Sequence, residues 1–439
     1  MPVIQLEGTF ANMKILTMRH SVCKSCALLW AIGALLLIGR LMAQTVGSPV
    51  QVSPAGEIVA EFSSATAPNN PELMVASAIK RLSPAKTLCA VYVSRDGGKV
   101  WSEVPAWPDG GLQPIYDPWV AIGADGTICA TGIAPTNMGS RVAYTQSQNG
   151  GLSWSPATAV TPFESKFHRR SADKDCLTVA ADGTIYVSFN QVLTTPLAAR
   201  GLIVARSTDQ GLTWTSRDTG AGGFSNGIVT APGGTVTVVF IGGSISGYGT
   251  VTSTDGGDTW GAPLMLGELN LTGGVVLPSI AYDALGRIVI DDISGSTTPQ
   301  IEISTENADG ILQQQWQLPM PDSDTCRNGR AIQPALTAGP DRSPAFQIAC
   351  KIDPTKSTTG NLEVWVYPNV DEPAPPPVLV TALELPAGIS HDPFARRFQD
   401  GGDYWSFTWK AEGWLSMWVD PRTAGGPGGL FAATVTPAD

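Results

Sequence analysis

Short apolar runs rich in β-branched residues alternate with turns of Gly, Asp and Asn along most of the chain, and no long helical periodicity interrupts them beyond residue 43. The pattern predicts many short strands joined by tight turns. One turn recurs. The run Ala90-Val91-Tyr92-Val93 leads into Ser94-Arg95-Asp96-Gly97-Gly98-Lys99-Val100-Trp101. The same octet returns as Ser147-Gln148-Asn149-Gly150-Gly151-Leu152-Ser153-Trp154 and as Ser207-Thr208-Asp209-Gln210-Gly211-Leu212-Thr213-Trp214. Its fourth copy is Ser253-Thr254-Asp255-Gly256-Gly257-Asp258-Thr259-Trp260. In each, Asp or Asn bonds its own turn backbone, Gly supplies the positive φ of a tight hairpin, and Trp covers the turn with an apolar face. A decayed copy runs from Ser304 through Asn307, Asp309 and Gly310 to Trp316, and a further hairpin is expected at Tyr367-Pro368-Asn369, before the proline-rich stretch 373–377. Repetition on this scale predicts one supersecondary unit used many times.

The octets resemble the Asp-box, or BNR repeat, of the sialidase superfamily. The resemblance implies a β-propeller, with each octet on the turn between the third and fourth strands of a blade, on the rim away from the ligand site. Asp96, Asn149, Asp209 and Asp255 are then turn residues rather than catalytic ones. Their largely buried tryptophans, Trp101, Trp154, Trp214 and Trp260, are expected to close the hairpins.

A second pattern marks where blades begin. It reads Asp117-Pro118-Trp119-Val120-Ala121, Lys174-Asp175-Cys176-Leu177-Thr178-Val179 and Leu277-Pro278-Ser279-Ile280-Ala281. It continues as Gln333-Pro334-Ala335-Leu336-Thr337 and Gly402-Asp403-Tyr404-Trp405, with residues 61–65 and 224–230 filling the remaining openings. Seven openings predict an all-β propeller of seven four-stranded blades, with six, the number in authentic sialidases, as the alternative. The last blade runs out of chain after three strands. Residues 49–53 are therefore expected to pair with 430–435, closing the ring and hiding both edges.

The N-terminus adds a destination. Lys14, Arg19 and Lys24 precede the apolar run 27–39, and Leu41-Met42-Ala43 offers a small residue for cleavage. Residues 1–43 read as an export signal and 44–439 as the propeller, which places the protein outside the cell or in a periplasm, as a monomer with no membrane contact after cleavage. Of the seven cysteines, Cys23 and Cys26 leave with the signal. Cys326 and Cys350 are placed to staple one local hairpin in an oxidising compartment, and Cys89, Cys129 and Cys176 read as small buried hydrophobes. A net charge of −11 with no basic stripe excludes a nucleic-acid binder. Three histidines, no CxxC pair after residue 43 and no nucleophile-elbow motif point to no metal and no cofactor.

In a propeller the opening strand of each blade lines the channel, and the loops leading into these strands form one mouth. Asp173, Lys174 and Asp403 are placed there, and Arg170, Arg330 and Arg397 approach from the preceding loops. Together they form a candidate pocket for a polar ligand, since guanidinium forks hold carboxylates bidentately. Sialidases use three arginines, a Tyr nucleophile paired with a Glu, and an Asp acid/base. The resemblance implies Tyr404 and Asp117 for the Tyr and Asp roles. The family's early Arg-Ile-Pro motif is absent, however, and Glu61-Phe62-Ser63-Ser64 stands in its place. Two functions stay open: an exported propeller that binds a glycan or protein at its mouth without reaction, and an exo-sialidase-type glycoside hydrolase acting on acidic sugars.

Overall fold

In the computed structural model the repeated turns fall between the strands of successive antiparallel sheets. It describes residues 44–437 other than 109–111, 138, 161–169, 194–199, 243–246, 269–276, 295–298, 341–342, 372, 389–391 and 423–427. The export signal, residues 1–43, lies outside the described residues. There are seven blades, not six. Their opening strands are Val59–Ala67, Tyr116–Ile122, Arg170–Val179, Phe224–Ala231, Ser279–Tyr282, Arg330–Thr337 and Phe407–Lys410. Each packs against the next, and the seventh packs against the first, so the blades form a closed ring.

Blade 7 is completed from the other end of the chain. Val50–Gln51 and Thr45–Val46 pair antiparallel with Leu430–Thr436, with Val50 opposite Ala432 and Val46 opposite Val435. The core lies between blades, where facing sheets interdigitate. Val91 and Val93 of blade 1, for example, meet Val120, Ile122 and Ile128 of blade 2. Two one-turn helices, Asp324–Asn328 and Pro393–Arg397, sit on the connections into blades 6 and 7. Cys326 of the first is disulfide-bonded to Cys350 on the second strand of blade 6, while Cys89, Cys129 and Cys176 are free and buried.

All four octets occupy the hairpin between third and fourth strands. The serine hydroxyl of each accepts the N–H of the residue four places on, at 2.9 Å from Gly98 and 2.8 Å from Gly151, Gly211 and Gly257. It donates in turn to the Asp or Asn two places on, whose oxygen accepts the N–H of Val100, Ser153, Thr213 or Thr259. Two consecutive left-handed residues make this bond pattern possible, which is why Gly97 and Gly98 have φ of 70° and 85°. Neighbouring octets also touch. Arg95 donates to the carbonyl of Gly150, Gln148 to Gln210 at 2.9 Å, and Arg206 to the carbonyl of Gly256 at 2.7 Å. The turns thus form a hydrogen-bonded belt along the rim of blades 1–4.

The four tryptophans close these hairpins as expected, packed on the blade cores without being fully buried. Trp101, Trp154, Trp214 and Trp260 are half-buried, because each indole covers the end of its hairpin with one edge on the blade core and the other in solvent. Truncation to Ala should therefore cost about 2 kcal/mol per site, less than the ~3–5 kcal/mol of a fully buried aromatic. Chemical denaturation of Trp154→Ala measures this, and a loss in the fully buried range would contradict the placement.

Candidate functional site

Strands run the same way in every blade, so the starts of the opening strands share one end of the ring and the octet turns lie at the other. At the mouth end, five opening strands carry a bulge. Register shifts fall between Ala60 and Phe62, Tyr116 and Trp119, Asp173 and Cys176, Ser225 and Gly227, and Ile332 and Ala335. Four bulges hold a non-glycine residue in the left-handed region: Glu61 at φ 42°, Asp117 at 48°, Lys174 at 53° and Gln333 at 57°. This conformation is costly and re-aims the side chain. Its use at equivalent places in four blades brings polar groups together that a regular strand would keep apart.

Lys174 is the hub. Its ammonium lies 2.7 Å from Asp403, 3.1 Å from Asp117 and 3.8 Å from Glu61. Its own N–H donates to the second oxygen of Asp117 at 3.2 Å. Burial alone would lower the Lys174 pKa, but the three carboxylates outweigh it and hold the ammonium charged. Glu61, 3% exposed, accepts the Asp403 N–H at 3.1 Å. Desolvation pushes the Glu61 pKa up despite Lys174 beside it. Close approach demands the glycine that precedes Asp403, since a Cβ on Gly402, at φ 104°, would fall 2.1 Å from the Glu61 side chain. Asp175 takes no part in the hub. It is fully buried, and burial drives its pKa well upward.

Tyr404 closes one side of the cluster. Its hydroxyl donates to the Pro118 carbonyl at 3.1 Å, its ring lies 5.4 Å from that of Trp119, and the Lys174 ammonium sits 5.7 Å above its face. The residue is 4% exposed, and burial, with Glu61 and Asp117 adding, raises its pKa well above that of a free phenol. Asp403, by contrast, presents its carboxylate to solvent, with 56% of the side chain exposed.

Arg330 and Arg397 are each engaged by groups of this chain and do not meet in one space. Arg330 binds Asp353 at 2.9 Å and Asp400 at 3.0 Å. Arg397 lies 4.1 Å above the Tyr116 ring and donates to its hydroxyl at 2.8 Å. The side chain of Arg170 lies outside the described residues. Asp173 pairs across the ladder with Asn190.

A clamp that sequence reading missed stands beside the hub. Lys351, paired with Asp353 at 3.0 Å, also binds Asp400, and the Gln333 amide donates to the carbonyl of Gly402 at 2.6 Å. Asp400, itself left-handed at φ 61°, is thereby fixed, and with it the segment that carries Asp403 and Tyr404. Only the acidic, glycine-rich stretch Gln399-Asp400-Gly401-Gly402-Asp403 could have signalled it.

No family model matches the chain, and no curated protein is detectably similar to it in sequence. Among solved structures, the chain is similar to a Hadza microbial sialidase, at 16% identity and a TM-score of 0.47, over 67% of this chain and 63% of that one. It is also similar to a protein of unknown function from Dyadobacter fermentans, at 16% identity and a TM-score of 0.47, over 78% of this chain and 98% of that one. A third likeness is to the α-L-arabinofuranosidase of Fusarium graminearum, at 15% identity and a TM-score of 0.47, covering 70% and 92%. This chain therefore spans less than two thirds of the sialidase's length. Identities of this order transfer no residue role to it.

Proposed function

We propose that the protein is an exported carbohydrate-binding propeller that holds an uncharged, polyhydroxylated ligand at its channel mouth without transforming it. The observation that carries this reading is the internal neutralisation of Lys174 by Glu61, Asp117 and Asp403. A site for an acidic sugar needs cations to spare. Here the buried cation is already matched by carboxylates of the same chain, and Arg330 and Arg397 are engaged elsewhere. What the mouth offers instead is a fixed, exposed carboxylate at Asp403, which accepts hydroxyl hydrogen bonds of the strong, charge-assisted kind. In this reading Lys174 and Tyr404 position Asp403, and the octets serve the ring rather than the ligand.

Calorimetric titration with oligosaccharides chosen from a glycan array tests the proposal. Asp403→Asn should weaken binding at least tenfold, about 1.4 kcal/mol, with the melting temperature unchanged, since Lys174 keeps two carboxylates. Binding confined to acidic glycans, or indifferent to Asp403→Asn, would count against it.

A second reading, a glycoside hydrolase, is favoured by one observation. Glu61 and Asp117 both face Lys174, and the upward shift of Glu61 is of the kind that prepares a general acid. Against it stand the burial of both carboxylates and the commitment of the Tyr404 hydroxyl to a backbone carbonyl.

A further inference from the structure

A second cleft opens on the outer, closing-strand side of blade 7, at the same end of the ring as the mouth, beside the turn that follows Gly413–Val419. It has a volume of about 380 Å³ and is lined by Gln51, Glu57, Asp420, Arg422 and Phe431, and it shares no residue with the Lys174 cluster.

Its floor is an aromatic platform. Phe431 is half-buried and stacks on the buried Trp418, with ring centroids 6.2 Å apart and planes 20° from parallel. Gln51, on the closing strand, is the direct cross-strand partner of Phe431, so amide and ring share one face of the sheet. The polar wall is equally fixed. Asp420 is 6% exposed and grips the Arg422 guanidinium through Nε at 2.9 and 3.0 Å and through Nη2. More than half of the Arg422 side chain nevertheless remains exposed, at 55%. Glu57 is held by the Tyr92 hydroxyl at 3.0 Å and by Lys80. Asp420 has Arg422 beside it and Glu57 shares Lys80 with Glu103, so the cleft carries no net positive charge to attract an acidic ligand.

A rigid aromatic face flanked by planar, pre-oriented polar groups suits one chemistry well. The apolar C–H face of a pyranose covers the ring, while its equatorial hydroxyls meet amide, carboxylate and guanidinium edges. Side chains already held by their neighbours lose little freedom on binding, and the volume lies within the range of small-ligand sites. We propose that this cleft is a binding site for an uncharged pyranoside. It goes beyond the mouth reading and stands or falls separately from it. Because Gln51 comes from the N-terminal closing strand and Phe431 and Arg422 from the last stretch of the chain, the sugar bridges the seam of the ring. Binding to the closed ring alone then stabilises it by mass action.

The test uses two neutral probes, cellobiose and maltose, at millimolar concentration, read by saturation-transfer NMR and by melting temperature. The expected result is transfer to the sugar ring protons from at least one probe, with a rise in melting temperature. In the Asp403→Asn background, where the mouth no longer binds, both effects should vanish in Phe431→Leu, which keeps the apolar bulk, and in Arg422→Ala, whose exposed side chain can be removed without unfolding the blade. Both should survive in Asp403→Asn. No transfer from either sugar overturns the proposal, as does transfer that persists in both cleft variants. Transfer lost only in Asp403→Asn overturns it too, and assigns the sugar to the mouth.

Discussion

Lys174→Met is expected to destabilise the protein by roughly 3–5 kcal/mol, the cost of removing one partner from a buried ion cluster. The ammonium is the only cation within salt-bridge distance of Glu61, Asp117 and Asp403 among the described residues, and the first two are almost fully buried. Without it, two desolvated carboxylates face each other, so the variant should also take up protons near neutral pH. Neutralising them is the control. The triple variant Lys174→Met, Glu61→Gln, Asp117→Asn should recover most of the loss, because no buried charge is then left unpaired. Urea denaturation of the set decides the matter. A single variant as stable as wild type, or a triple variant less stable than the single one, would show that the cluster is not held by charge compensation.

Stability should also fall as pH rises, against the common pattern of carboxylates that favour the folded state at neutral pH. Burial pushes Asp291 up to about 8 and Asp292 to about 7, and raises Asp175 and Glu306 as well. The folded state therefore binds more protons than the unfolded one between their ordinary values near 4 and these raised ones. Linkage then makes stability decline across that window. At the acid end the sign reverses. Asp209 and Asp255 in the octets are lowered to about 2, first by the threonine hydroxyls bonded to them and then by backbone N–H groups. Their contribution is present above pH 4 and lost as pH falls through 2. The melting temperature should peak near pH 4–5 and drop by several degrees toward pH 9. Asp292→Asn should flatten the alkaline limb. A melting temperature that rises from pH 5 to pH 8 would contradict the assignment of these acids as buried and protonated.

The parts of the fold that are legible in the sequence are those fixed by local chemistry. Ser94, Asp96, Gly97 and Gly98 specify their hairpin within five residues, and nothing distant is needed to make the bonds they make. The missing fourth strand of blade 7 is legible because an open edge has to be covered, and the pairing of Val50 with Ala432 covers it. Placement of Asp117, Lys174, Asp403 and Tyr404 near one mouth follows from equivalence among blades. What the residues do there does not follow. The left-handed bulges at Glu61, Asp117, Lys174 and Gln333 depend on neighbouring blades holding them, and at Asp117 and Gln333 they run against the extended backbone that the following proline favours. Tyr404 offers no sequence sign that its hydroxyl is committed to Pro118, which lies 286 residues away. The capture of Arg330 by Asp353 and Asp400 is likewise a product of the ring. The octet tryptophans pack on the blade cores as their place in the repeat suggests, short of full burial because a hairpin at the rim has protein on one side only.

The central claim is that the mouth binds and does not turn over, because its buried cation and its tyrosine hydroxyl are already committed. The most direct measurement is release of a fluorescent reporter from a sialic acid glycoside at mildly acidic pH, made on folded protein alongside Tyr404→Phe and Arg330→Ala. The account predicts no release above the blank in any of the three. Turnover by the wild-type protein that disappears in both variants would contradict it.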